Sequence, residues 1–152
     1  MTQLATRFLD AEASDDPRRM RVLDGAMKVV LAYGYHRTTM DDIARAAGIS
    51  RPALYLLFKN KTEIYRTIAG GMFDESIERM QQILEGPGTL GERLLAAIEA
   101  TMIDMMCINR QSPHGAEILD MKNQLAGDLV VRWHSRVSTQ FRQAIAAETK
   151  GT

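Results

Sequence analysis

Residues 40–61, with the sequence MDDIARAAGISRPALYLLFKNK, constrain the fold more than any other stretch of the chain. Thr39 followed by Asp42 is typical of a capping box that starts a helix. The short apolar face that follows ends at Gly48, where a residue without a Cβ adopts a left-handed backbone conformation most easily. Ser50 can then cap a second short helix. Two short helices joined by a few residues with a glycine at the bend predict a helix-turn-helix.

The second helix of this pair is predicted to have one buried side and one exposed side. At about 100° per residue, Leu54 and Phe58 lie about 40° apart and can share a core with the first helix. On the same wheel Tyr55, Pro52 and Leu56 lie about 100°, 160° and 200° from Leu54. These three side chains are therefore expected to point outward.

Helical periodicity continues on both sides of the pair. Asp16 is a plausible N-cap, with a proline after it, for a first helix that ends at Gly34. A longer helix begins after Asn60 and runs to the breaker GPG at 86–88, which makes it a rod of about 36 Å. No segment alternates as a half-buried strand would, so the predicted fold class is all-α.

Three further helices are predicted after the breaker. The first begins at Thr89 and ends before Ser112, and a short one follows over 118–121. The last carries an apolar residue at every fourth position, namely Leu125, Leu129, Trp133, Val137, Phe141 and Ile145. The predicted architecture is a three-helix domain with a helix-turn-helix over 17–60, joined through the long fourth helix to a C-terminal helical bundle over 61–152.

The charges are segregated along a chain whose net charge is zero. Residues 1–16 carry one arginine against four acids, residues 17–66 carry ten Lys and Arg against four acids, and residues 67–152 carry eight against eleven. A basic block between two acidic ones is expected of a module that meets a polyanion while the rest of the chain does something else.

Several classes of protein are disfavoured. Cys107 is the only cysteine, so no intrachain disulfide can form and a reducing, cytoplasmic setting is expected. There is no signal-peptide core and no apolar run of membrane-spanning length. The three histidines are spread apart, and neither paired carboxylates nor a glycine-rich phosphate loop is present. We therefore expect a protein that is not an enzyme, with no metal, no cofactor and no membrane partner.

The segment GYHRTTMDDIARAAGISRPALYLLFKNKTEIY, preceded by RRMRVLDGAMKVVLAYG, resembles the DNA-binding region of the tetracycline-repressor (TetR) family. The resemblance covers about residues 18–66. It implies a transcriptional regulator whose third helix enters the major groove of double-stranded DNA. It also implies that the first turn of the fourth helix holds the phosphate backbone.

Carried over by position, the resemblance assigns residues to two kinds of DNA contact. The expected backbone contacts are Thr38, Thr39, Tyr55 and Lys61, and the groove-facing candidates are Arg51, Pro52, Ala53 and Leu56, with Arg37 and Lys59 adding positive charge. Thr39 and Lys61 fall at helix N-termini, which favour anions. Arg51 can fork to a guanine or hold a phosphate, and Leu56 can touch a thymine methyl. Positions 56 and 57 are often polar in the family, whereas both are leucine here.

The resemblance also implies that the later helices enclose a small ligand and form a homodimer. The expected result is a repressor that binds a palindromic operator and is released by a small apolar ligand. The candidate ligand-binding residues are Phe73, Ile98, Met102, Met105, Met106, His114, Trp133, Val137 and Phe141, with an ordinary helical core as the alternative. Two long helices that usually follow in the family are expected to be missing from residues 61–152. The alternative function is a protein-interaction module that docks through the apolar LYLLF and does not bind DNA.

Overall fold

The computed structural model describes residues 16–110 and 112–151, apart from the side chains of 102–109, 115, 118–119 and 121–123. Six helices follow in chain order: α1 (Pro17–Tyr33), α2 (Met40–Ala47), α3 (Arg51–Leu57), α4 (Lys61–Leu84), α5 (Leu90–Arg110) and α6 (Gly115–Lys150). The described residues include no strand, so the all-α prediction is confirmed. Over this part of the chain, none of the helices has an apolar stretch that would cross a membrane.

The helix-turn-helix is built as its capping residues predict. Thr39 and Asp42 form a reciprocal capping box at the start of α2, with the Asp42 carboxylate 2.9 Å from the Thr39 backbone nitrogen. Gly48 ends α2 in the left-handed conformation, at φ 67° and ψ 33°. A Cβ at Gly48 would meet nothing within 4 Å, so the backbone angle alone reserves this position for glycine. Ser50 then caps α3 through the backbone N–H of Ala53.

A first hydrophobic cluster holds the N-terminal helices together. It combines buried side chains of α1, α2 and α3 with Ile64, Tyr65 and Ile68 from the first two turns of α4. The Tyr65 hydroxyl donates a hydrogen bond to the Ala26 carbonyl at 2.7 Å, which satisfies the one polar atom that this ring buries. The start of α4 therefore packs as part of the helix-turn-helix core, although the helix continues into the C-terminal region.

The C-terminal region packs α4 against α6 in parallel. Arg66 pairs with Asp128 through two contacts of 2.8 Å, and Asp74 pairs with Arg136 two turns further along both helices. The two pairs have the same separation in the sequence, which requires the helices to run in the same direction. Between and beyond these pairs lie two apolar clusters, one around Trp133 and one around Met80.

The two last predicted helices are the two segments of α6, which meet at a kink. Ala126 lies inside α6 with φ −131° and ψ 23°, which interrupts the helical ladder. Arg66 of α4 donates a hydrogen bond to the carbonyl of Leu125, the residue before the kink. The prediction of a short helix followed by a longer one is therefore confirmed as two helical segments that meet at Ala126, where a side chain from α4 satisfies a backbone carbonyl.

Candidate nucleic-acid interface

The outer face of α3 is the most exposed apolar surface of the N-terminal region. Leu56 is 86% exposed and Tyr55 is 43% exposed, whereas Leu54 and Phe58 are 0% and 1% exposed. Pro52 is exposed beside them. The helical wheel therefore assigned these five residues to the correct sides. The buried pair fixes α3 rigidly while the other face meets solvent.

Arg51 lies at the first turn of α3 in an ion pair that the sequence did not suggest. Its guanidinium is 3.4 Å from the carboxylate of Asp41 on α2 and 5.6 Å from the centre of the Tyr55 ring. Both charged side chains are more than half exposed, so the ion pair is weak and solvent competes with it. The arginine is thus positioned over the exposed face of α3 and remains available to an outside acceptor.

The other predicted contact residues differ in how far they are exposed to solvent. Arg37, Thr39 and Lys59 are exposed, and Ala53 is half-buried. The Lys59 backbone N–H donates to the Glu63 carboxylate at 2.6 Å, while its ammonium group has no hydrogen bond or ion pair within the described part of the chain. Arg37 and Lys59 are therefore exposed cations of the N-terminal region.

Thr38 and Lys61 do not have the surroundings expected of phosphate contacts. Thr38 is 2% exposed, and its hydroxyl donates to the Gly34 carbonyl at 2.7 Å. The Lys61 ammonium donates to the carbonyls of Tyr35 and Thr38 at 2.8 and 3.0 Å and lies 4.2 Å from the centre of the Tyr35 ring. Desolvation lowers the pKa of Lys61, partly opposed by Glu117. Lys61 thus holds the α1–α2 loop against α4.

The N-termini of α2 and α4 already hold carboxylates of the protein itself. At α2 the Asp42 carboxylate accepts from the hydroxyl and the backbone N–H of Thr39, and these hydrogen bonds hold the pKa of Asp42 below its usual value. At α4 the Asn60 side chain accepts from the Glu63 N–H, and the Glu63 carboxylate accepts from Lys59. Capping therefore fills part of the first turn at both termini, and phosphate binding by Thr39 and Lys61 stays a prediction.

Because Lys59 is exposed and Lys61 is bonded to the α1–α2 loop, we expect their replacement by alanine to have different effects on DNA binding and on stability. Lys59→Ala should weaken DNA binding with little change in stability and reduce the slope of log K against log salt by about one, as for one lost phosphate contact. Lys61→Ala should instead lower the free energy of unfolding by about 1 kcal/mol, because it removes charged hydrogen bonds to two carbonyls. Urea unfolding and salt-dependent DNA titrations measure both effects. An unchanged stability with a reduced salt slope in Lys61→Ala would contradict this assignment.

The predicted ligand residues are only partly brought together. Phe73, Trp133 and Val137 share the second apolar cluster, and Phe141 packs in the next one with Val137. Ile98 is 45% exposed and belongs to neither. The side chains of Met102, Met105 and Met106 lie outside the described residues.

His114 has surroundings of a different kind from those of the apolar candidates. It is half-buried at the start of α6, where its backbone N–H donates to Ser112 at 3.0 Å and its imidazole lies 3.6 Å from the Glu117 carboxylate. A groove of about 660 Å³ lies along the first part of α4. Its lining includes charged residues such as Glu63 and Asp74 and none of the candidate ligand residues.

Some residues that position this site carried no sequence signal. Asp41 pairs with Arg51, and Arg66 joins α4 to the kink of α6. Glu117, on α6, accepts the backbone N–H of His36 at 3.0 Å, so it ties the C-terminal region to the α1–α2 loop. These partners lie between ten and 81 residues apart in the chain, and only the tertiary fold brings them together.

Comparison with known proteins identifies the family. A family model described as "Bacterial regulatory proteins, tetR family" matches residues 22–68, a range that contains every buried residue of the first hydrophobic cluster. The uncharacterized HTH-type transcriptional regulator TtgW of Pseudomonas putida is 30% identical over 135 residues, which make up 89% of this chain and 95% of TtgW. The chain belongs to the TetR family of transcriptional regulators.

Other TetR-type proteins share parts of this chain. It is 38% identical to the HTH-type transcriptional activator FasR of Mycolicibacterium smegmatis over 85 residues, or 56% of this chain and 39% of FasR. The crystal structure of a TetR family transcription regulator from Marinobacter aquaeolei VT8 has the same fold, with a TM-score of 0.65 and 20% identity over 92% of this chain and 72% of that one. The chain spans about two fifths of the length of FasR and of another curated relative.

Proposed function

We propose that this TetR-family chain is a sequence-specific DNA-binding regulator, a repressor that a small apolar ligand releases from its operator. The observation that carries the proposal is the outer face of α3, where Leu56 and Tyr55 are exposed on a helix whose other side is fixed in the core. An exposed edge of this kind, within a segment of net positive charge, suits the major groove of a duplex.

The proposed contacts follow from the exposure of each side chain. Leu56 reaches a thymine methyl, and Arg51 leaves Asp41 to fork to a guanine or to hold a phosphate. Arg37 and Lys59 bind phosphates on either side of the groove. In this proposal Thr38 and Lys61 do not bind phosphates themselves, because their polar groups already donate hydrogen bonds to backbone carbonyls. They support the proposed contacts by fixing the α1–α2 loop.

Three contacts provide a route by which a ligand in the C-terminal helices could change the DNA-binding surface. The Ser112 hydroxyl donates to the Leu31 carbonyl at 2.6 Å, near the end of α1. Glu117 holds His36 of the α1–α2 loop, and Arg66 joins α4 to the kink in α6. A displacement of α6 would therefore move elements that carry or support the proposed phosphate contacts.

The proposed release also depends on the distance between the two α3 helices of a homodimer. A homodimer on a palindromic operator places its two α3 helices about 34 to 36 Å apart, one helical turn of DNA. A change of a few ångströms in this separation prevents both helices from fitting at once. The ligand must favour the released state by about 1.4 kcal/mol for each tenfold loss in DNA affinity.

The test begins by selecting bound sites from a pool of random duplex DNA. The expected result is a two-fold symmetric sequence whose binding weakens as salt is raised. The alternative, a protein-interaction module, is favoured by the same exposed leucine, and it predicts that no sequence is enriched. Titration of apolar compounds into the complex then tests release, and an unchanged DNA affinity at ligand saturation would contradict it.

A further inference from the structure

Trp133 is buried at the contact between α4 and the second half of α6. It is 9% exposed, and its ring centre lies 5.6 Å from that of Phe73 with a tilt of 33°. Ile77 completes the buried part of this cluster, and the exposed imidazole of His134 lies 5.1 Å from the indole ring. The surroundings of the ring are thus mainly apolar.

The indole Nε1–H of Trp133 is buried, and no hydrogen-bond acceptor for it lies among the residues that the structure describes. Buried tryptophan N–H groups usually find a partner, because a buried donor without one loses its hydrogen bonds to water and gains nothing in return. An unpartnered donor inside an apolar cluster is a common property of sites that receive a polar atom from a bound molecule.

The charges beside this cluster limit the kind of acceptor. The two arginines that flank the α4–α6 contact, Arg66 and Arg136, are already paired with Asp128 and Asp74. An incoming carboxylate would have to compete with Asp128 or Asp74 for these arginines, and the burial of a charge is costly unless the charge is well paired. An uncharged oxygen has no such cost.

We propose that the N–H of Trp133 binds the ligand through an uncharged oxygen acceptor, such as the carbonyl of a ketone or ester on a small apolar molecule. This inference rests on the proposed ligand response. Because Trp133 is almost fully buried, the acceptor reaches the N–H only when α6 moves away from Phe73 of α4. Binding at Trp133 would therefore displace the same helices that contact the DNA-binding domain.

The experiment uses the fact that Trp133 is the only tryptophan in the chain. In ¹⁵N-labelled protein its indole N–H gives a single cross-peak, which shows directly whether a hydrogen bond forms. The probes are 2-octanone and 2-methyl-1-octene, which have the same shape but differ in having C=O or C=CH₂, together with octanoate as the charged comparison. Each is titrated into wild-type protein and into Trp133→Phe, which keeps an aromatic ring and removes the donor.

We expect 2-octanone to move the indole proton to lower field and to bind about tenfold more tightly than the alkene, a preference that Trp133→Phe abolishes. An unmoved cross-peak, equal binding of ketone and alkene, tighter binding of octanoate, or no binding by any probe would overturn the inference. The wild-type cross-peak decides the matter even if Trp133→Phe folds poorly.

DNA affinity measured with the same samples separates this inference from the proposed release. If 2-octanone moves the cross-peak but leaves DNA affinity unchanged, the Trp133 site is supported and release by this ligand fails. If DNA affinity falls while the cross-peak stays in place, release is supported and the assignment of Trp133 is overturned.

Discussion

Replacing Leu56 with glutamate is expected to raise the dissociation constant for the selected DNA about 100-fold, or about 2.7 kcal/mol. Leu56 is 86% exposed, so the new carboxylate stays in solvent and does not disturb the core. In the complex it would be placed against the base edges and between two rows of phosphates, where like charges repel strongly. Fluorescence anisotropy of labelled duplex at fixed salt measures the change.

Val131→Glu is the matched control, since it makes the same change from an aliphatic side chain to a carboxylate. Val131 is 70% exposed on α6, outside the helix-turn-helix. Both variants should unfold within about 0.5 kcal/mol of wild type. Only Leu56→Glu should lose DNA affinity, and equal affinities in the two variants would mean that α3 does not enter the groove.

Leu54→Ala is expected to lower the free energy of unfolding by about 2 to 5 kcal/mol, the usual range for a fully buried leucine. Leu54 is 0% exposed and packs among the α1, α2 and α4 residues of the first hydrophobic cluster. Its removal leaves a cavity at the junction of these helices, so the whole N-terminal region loses stability. Urea unfolding followed by circular dichroism measures the effect.

The control for this change lies two residues further along the same helix. Leu56→Ala removes the same atoms from an exposed position and should change the free energy of unfolding by less than about 0.5 kcal/mol. It should nevertheless weaken DNA binding, because the apolar contact to a base is lost. Comparable destabilisation by the two variants would show that the buried and exposed sides of α3 are wrongly assigned.

Local signals in the sequence were reliable at the ends of helices. Thr39 with Asp42, Gly48 and Asn60 have the caps or the backbone angle that their residue types predict. Such features involve atoms within a few residues of one another, so local chemistry is sufficient to specify them. Local signals did not indicate the partner of the backbone at the kink of α6, which is Arg66 from another helix.

The apolar stripe of the last helix shows a second limit of sequence patterns. A repeat of four residues advances by about 40° at each step around a helix with 3.6 residues per turn. Leu125 accordingly packs with the first cluster, Leu129 and Trp133 with the second, and Phe141 with the third. Ile145, at the end of the stripe, is 44% exposed. The residues of this stripe therefore contribute to three different clusters and do not line one common surface.

The amino-acid sequence by itself determined the helices, the glycine bend and the two sides of α3, because residue type and spacing act over one or two turns. Only the tertiary structure decided which hydrogen-bond or ion-pair partner each polar side chain has. It turned Lys61 and Thr38 inward, paired Arg51 with Asp41, and left the Trp133 N–H without an acceptor from the described side chains and backbone. The physical reason is that a polar atom bonds to whichever partner the packed helices bring within about 3 Å, and sequence spacing does not encode that distance.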